Sequence, residues 1–216
     1  MKKIDKIFSK GKSMSLDEYL EKVLYDKNIG YYQKKDPFGV EGDYITAPNI
    51  SNIFCEMIAI WLVSFWENLK KPKKFHFVEL GPGNGDFCLI LLKTLKKFPE
   101  LYNSINIMLY EKSEKLKKIQ KKKLRSKKIS WIKNFSNIKN GPVVFFGNEF
   151  LDALPIKQFK KVNNLVFEKY AVFKKNKINF TFKKAIKKQI KKLEYYKLLQ
   201  NKGIIEYPEY GFKELD

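Results

Sequence analysis

Phe75-His76-Phe77-Val78-Glu79-Leu80-Gly81-Pro82-Gly83-Asn84-Gly85-Asp86 decides the fold. A short apolar run ends in a turn with glycine at every second position, and residues 86–98 then carry Leu89, Leu92 and Leu95 at helical spacing. Strand, glycine turn and helix follow one another without a break. Glycine serves where the backbone must turn sharply and let a ligand lie against it. The helix behind such a turn aims free N–H groups and its positive dipole end at the same spot. The plainer reading is a tight strand-to-helix turn that holds nothing.

The alternation continues downstream. Residues 105–110 predict a second strand, 113–124 a helix that is basic on its outer side, 128–132 a third strand, and 142–147 a fourth. Strands alternating with helices form βαβ units and a parallel sheet. Upstream, residues 70–74 with Pro72 read as a linker. Ser15-Leu16-Asp17-Glu18 has the form of a capping box and predicts a helix start, with a stop near Asn28-Ile29-Gly30. A loop punctuated by Gly and Pro spans residues 31–48. A long helix over 51–69 is apolar on most sides and is therefore expected to be buried. Past Pro155, residues 156–162 and 165–173 flank the turn Asn163-Asn164, and 178–182 follow another polar bend, an antiparallel excursion. A Lys-rich helix over 185–200 completes the pattern. The expected division is a helical lid region at 1–70, an α/β core at 71–155, and the excursion with its helix at 156–216.

Composition sets the outer limits. The chain has 216 residues, 44% of them hydrophobic, so it holds ample material for a packed core and is not disordered as a whole. The formal charge is +21, yet Arg125 is the single arginine among 44 Lys plus Arg residues. Phosphate and base recognition lean on the bidentate arginine fork. Two readings of the charge stand: codon bias from an AT-rich genome, and a nucleic-acid role. Cys55 and Cys88 are too few for a disulfide scaffold and fit a reducing compartment. One histidine, His76, rules out a His-rich metal site, and no metal is expected. Residues 1–13 are basic without an apolar stretch, unlike a secretory signal. The longest apolar run, residues 57–66, is too short to cross a bilayer, so a soluble protein without membrane insertion is expected.

The chemistry concentrates at the carboxyl ends of the predicted parallel strands, where ligands of open α/β sheets collect. The turn reads G-x-G-x-G, and the position that a dinucleotide site gives to its third glycine holds Asp86, whose charge would repel a pyrophosphate. S-adenosylmethionine, with a positive sulfonium and a zwitterionic methionine end, suits it better. A ribose-binding acid belongs at the end of the second strand, some ~20 or more residues on. Glu111 stands there, where the alternative role is a helix cap. The fourth strand runs into Asn148-Glu149-Phe150-Leu151-Asp152-Ala153-Leu154-Pro155. Glu149 and Asp152 fit two roles equally: a fork that holds a guanidinium, and acids favoured at a helix start.

Three segments in order closely resemble the MidA family of class I S-adenosylmethionine-dependent methyltransferases: Phe38-Gly39-Val40-Glu41-Gly42-Asp43-Tyr44-Ile45-Thr46-Ala47-Pro48, Val78-Glu79-Leu80-Gly81-Pro82-Gly83-Asn84-Gly85, and Asn148 through Pro155. The resemblance runs from about Ser15 to Glu206. It implies a Rossmann-like class I methyltransferase sheet and S-adenosyl-L-methionine as cofactor. It gives cofactor roles to Glu79, Gly81, Pro82, Gly83, Gly85 and Glu111, sets Asp43 and Thr46 over the cofactor, and puts Asn148, Glu149 and Asp152 at the acceptor as the catalytic set. The mitochondrial member of the family is a protein arginine methyltransferase needed for assembly of respiratory complex I, which implies a protein substrate bearing arginine, such as a complex I subunit. A bacterial chain would then act in the cytoplasm and a eukaryotic one in the mitochondrial matrix.

The chain departs from the family pattern at Asn49, Cys55 and Lys157, where Glu, Gly and His are usual. The family also continues past the point where this chain stops, and residues 203–216 read as an interrupted approach to further sheet. Truncation of the sheet is therefore expected, and with it a tendency to self-association. A non-catalytic assembly factor is the alternative function. An RNA methyltransferase is disfavoured, because the fourth-strand segment lacks the Asn/Asp-Pro-Pro-aromatic pattern that stacks a flipped base.

Overall fold

The computed structural model describes residues 7–8, 13–34, 51–136, 138–200 and 203–209. In chain order the elements are β1 (Ser13–Ser15), α1 (Leu16–Tyr25), α2 (Tyr31–Lys34), α3 (Asn52–Asn68), β2 (Phe75–Leu80), α4 (Asp86–Leu95), α5 (Pro99–Ser104), β3 (Ile105–Tyr110), α6 (Glu114–Lys123), β4 (Ile129–Ile132) and β5 (Val143–Phe146). A 3-10 turn (Leu151–Ala153) follows. Then come β6 (Lys157–Val162), β7 (Leu165–Lys174), β8 (Lys177–Lys184), α7 (Lys187–Tyr195), a second 3-10 turn (Leu198–Gln200) and β9 (Ile204–Tyr207).

Two compact units divide the chain, residues 31–152 and residues 1–30 with 153–216. The first holds the parallel α/β sheet. Its four strands are all parallel in the order β4-β3-β2-β5. Alternation along β2 and β3 sends Phe75, Phe77, Ile105, Ile107 and Leu109 into the main core, against Cys88, Leu91 and Leu95 of α4 and Cys55, Ala59, Leu62 and Trp66 of α3. Val78 and Tyr110 point to the other face with Ile132 and Phe150. Because β3 and β4 lie on one side of β2 and β5 on the other, the strand order reverses at β2. The carboxyl ends of β2 and its neighbours are thus a topological switch point, the place where such sheets bind ligands.

The second unit is antiparallel. β7 takes β8 along one edge; along the other it pairs with β6 over Leu165–Glu168 and with β1 over Tyr170–Val172, while β9 extends the sheet from β6. The hairpin turns Asn163-Asn164 and Lys175-Asn176 hold both central residues at positive φ (45° and 63°; 51° and 60°), the handedness that suits a two-residue hairpin. α1 packs on this sheet through a buried ion triad. Lys157 Nζ lies 3.0 Å from Asp17 Oδ1 and 2.8 Å from Glu168 Oε1, and Gln189 Nε2 donates to the second Glu168 oxygen at 2.7 Å. Burial alone would pull the Lys157 ammonium down; its bonds to Glu168 and Asp17 more than reverse this and hold it above the usual lysine range.

Several expectations need correction. Contacts do not group the first 30 residues with residues 31–70 as one helical region, because β1 pairs with β7 and joins those residues to the antiparallel unit. Ser15 does precede α1 with the extended backbone of an N-cap, but its side chain makes no capping bond. α1 ends at Tyr25, ahead of the expected stop. Asp26 accepts the backbone N–H groups of Asn28 and Ile29 (2.8 and 3.1 Å) and turns the chain there. α3 has the expected extent but is buried on one stripe alone. Ile53, Met57, Ile60 and Trp61 are at least half exposed, because an all-apolar helix carries no sequence signal for which face meets the core.

Candidate active site

β2 delivers the site. Glu79 is level with Leu109 of β3 and Phe146 of β5, and its side chain shares the core face with Phe75 and Phe77. The chain then enters the turn with Gly81, Gly83 and Gly85 at φ 65°, 54° and 83°, values that side-chain-bearing residues rarely adopt. The Gly81 N–H donates to the Tyr110 carbonyl at 2.9 Å, which ties the turn to the end of β3, and the Gly85 N–H donates to the Pro82 carbonyl at 2.8 Å, which closes it. Space is as restrictive as conformation at Gly81, where a Cβ would meet Phe150 Cδ2 at 2.8 Å.

Glu111 follows β3 directly. Its Oε1 accepts the Ser113 N–H at 2.8 Å and its Oε2 accepts from Gln120 Nε2 at 3.2 Å, and the residue is buried. Burial raises its carboxyl to about 7, against the lowering effect of the Ser113 N–H, Gln120, the Lys112 N–H and Lys117. Glu79 is pushed further, to about 8, by burial and then by the charge of Glu111. Its Oε2 is buried and has no hydrogen-bond partner among the described residues. An orphaned carboxylate oxygen beside three left-handed glycines is the environment that a positively charged, hydrogen-bonding ligand would complete. Asp86, by contrast, is paired with Lys123, so its charge is offset and weighs less against a pyrophosphate than its position in the sequence suggests.

Ser113 also ties the start of α6 to α2. Its Oγ donates to the Tyr32 carbonyl of α2 at 2.8 Å. Asp43 and Thr46 belong to the stretch that follows α2 and lie outside the described residues. Across the switch point, Gly147 lies beside Leu80 (a Cβ on it would be 3.4 Å from Leu80 Cβ). Asn148 and Glu149 therefore come out of β5 next to the glycine turn. Glu149 is exposed and held at φ 53°, and Asp152 is exposed in the 3-10 turn. Both thiols are buried, and burial, then the charge of Glu79, raises Cys55 to about 11 and Cys88 well above its ordinary value.

Residues 57–208 match a family model described as "Putative S-adenosyl-L-methionine-dependent methyltransferase". The chain belongs to this family. The resemblance read from its three sequence segments thus holds. Among curated relatives, the protein arginine methyltransferase NDUFAF7, mitochondrial, of Xenopus laevis is 34% identical over 185 residues, 74% of this chain and 42% of its own. The Homo sapiens protein of the same name is 32% identical over 68% of this chain and 39% of its own. The chain therefore spans about two fifths of the length of these relatives. A Burkholderia thailandensis protein crystallised with S-adenosylhomocysteine, a candidate methyl transferase, superposes with a TM-score of 0.72 at 22% identity, covering 94% of this chain and 54% of that one. That likeness shows that the family fold is shared.

Two residues escaped the sequence reading. Phe150, whose ring lies against Gly81, gave no signal beyond its place in the third segment. Gln120 is the one polar residue on the stripe Leu116, Gln120, Leu124, and that spacing was the available clue.

Proposed function

We propose that the chain binds S-adenosyl-L-methionine at the carboxyl ends of β2 and β3 and serves the methylation of arginine in a protein substrate. The observation that carries this reading is the buried Glu79 oxygen, without a partner among the described residues, beside the glycine turn and Glu111. When bound, the cofactor supplies an electrophilic methyl group on a sulfonium. Glu111 would accept the ribose hydroxyls, and the turn Gly81 to Gly85, with Pro82, would let the methionine end lie against backbone. Glu79 would take a hydrogen bond from that end. Asp43 and Thr46 would cover the pocket from the loop after α2.

The protein's part in the transfer is alignment and exclusion of water, since an in-line displacement needs little else. Glu149 and Asp152 would receive the two edges of a guanidinium, with Asn148 beside them. The names of the relatives support arginine as the acceptor. We assign a subunit of respiratory complex I as substrate, with the mitochondrial matrix as the setting in a eukaryote and the cytoplasm in a bacterium.

The test is transfer of a radiolabelled methyl group from S-adenosyl-L-methionine to purified complex I subunits, followed by acid hydrolysis. Label in methylarginine that disappears with Glu149→Gln and Asp152→Asn is the expected result. Binding of a subunit without any transfer at high enzyme concentration would replace the enzyme with an assembly factor, and label in RNA would move the acceptor class.

A further inference from the structure

Gln120 sits in the middle of α6 with its side chain fully buried. Its Nε2 donates to the Gly83 carbonyl at 2.7 Å and to Glu111 Oε2 at 3.2 Å, and its Oε1 accepts the Trp131 indole N–H at 2.8 Å. The amide has one possible orientation. An indole only donates and a carbonyl only accepts, so the oxygen must face Trp131 and the nitrogen must face Gly83 and Glu111. Packing does not require a polar group here. Leu116 and Leu124, one turn away on either side, are both buried, and an apolar residue between them would extend the same stripe. Burying an amide is costly unless its partners are met, and here they include the carbonyl of the middle glycine of the turn and the acid at the end of β3.

We propose that Gln120 is a positioning residue of the cofactor site: braced by Trp131 on β4, it fixes the Glu111 carboxylate and the Gly83 peptide in one arrangement. This rests on the cofactor reading above and adds a residue to it. Gln120 also adjusts the charge of Glu111. The groups facing that carboxyl are Glu79 from β2, the Lys112 and Ser113 N–H groups from its own loop, and Lys117 and Gln120 from α6. Of these, Gln120 is the neutral side chain that favours the ionised form, which is the form able to accept two ribose hydroxyls.

The experiment compares the parent chain with Gln120→Leu and Trp131→Phe, in the wild-type and Glu111→Gln backgrounds. Two readouts are taken: calorimetric affinity for S-adenosylhomocysteine, and the Glu111 titration in ligand-free protein by carbon NMR of labelled glutamate. Losing a buried hydrogen bond to a charged group predicts affinity weaker by ~10-fold or more for Gln120→Leu. The Glu111 midpoint should also rise above its parent value of about 7. Trp131→Phe, which leaves the amide in place but unbraced, should shift both in the same direction by less. In the Glu111→Gln background Gln120→Leu should cost less than in the wild-type one, because only its hold on the Gly83 carbonyl is then lost. Parent affinity and midpoint retained in both variants would overturn the assignment alone, as would an equal loss in both backgrounds. If Gln120→Leu does not fold, Trp131→Phe decides, and unchanged values there count against the proposal. A parent chain that does not bind S-adenosylhomocysteine overturns the cofactor reading and the assignment with it.

Discussion

Glu79 on β2 and Glu111 just past the end of the adjacent strand β3 are close enough to interact, and the charge of Glu111 adds to burial in holding the Glu79 carboxyl up at about 8. An acid whose folded value exceeds its unfolded value binds more protons in the folded state, so its contribution to stability is present at low pH and lost as pH rises. Between about 4.5 and about 8 the ligand-free protein should therefore lose stability as pH increases. Glu79→Gln should flatten that slope. Thermal unfolding of parent and variant across this window measures it, and parallel profiles would show that Glu79 is not buried as described.

Gly83→Val places a β-branched residue at φ 54° in the turn whose carbonyl Gln120 holds. Backbone strain of ~1–3 kcal/mol is expected in urea unfolding. Binding of S-adenosylhomocysteine should be lost altogether, because the peptide must move out of position. A folded variant that binds as the parent does would remove the turn from the site.

Lys157 is the cation between Asp17 and Glu168 in the antiparallel unit. Lys157→Met leaves two buried carboxylates without it, and removing one partner of a buried pair costs ~3–5 kcal/mol. The urea midpoint should fall accordingly. A cost no larger than that of a surface substitution would mean that the triad is open to water.

The two faces of α3 should answer differently. Leu62→Ala opens a cavity in the core under β2 and should cost ~2–5 kcal/mol. Met57→Ala and Ile60→Ala, on the exposed stripe, should stay within ~0.5 kcal/mol. Equal costs on both faces would show that the stripe is covered.

How much the sequence revealed follows from what each feature depends on. The four parallel strands were legible because Phe75 to Leu80 and its counterparts are apolar runs bounded by Gly, Pro or polar residues. The glycine turn and Glu111 were legible because conformation and strand-end position fix their roles. β1 was not, since three residues become a strand only by pairing with Tyr170 to Val172, some ~155 residues away along the chain. The exposed stripe of α3 escaped because uniform apolarity hides a helix's facing. The Lys157 triad escaped because each of its polar side chains looks like solvated surface in a lysine-rich chain until its buried partners are known, and Gln120 because its place on the Leu116–Leu124 stripe is the single mark that sets it apart from the lysines around it. Asp43 and Thr46 lie outside the described residues.

The most direct test of the central claim is a crystal structure of the chain grown with S-adenosylhomocysteine. The account predicts ribose hydroxyls on the Glu111 carboxylate, the homocysteine end along Gly81 to Gly85, and a partner for the Glu79 oxygen that has none among the described residues. Ligand bound elsewhere, or a glycine turn closed off by Phe150 with no ribose on the Glu111 carboxylate, would contradict it.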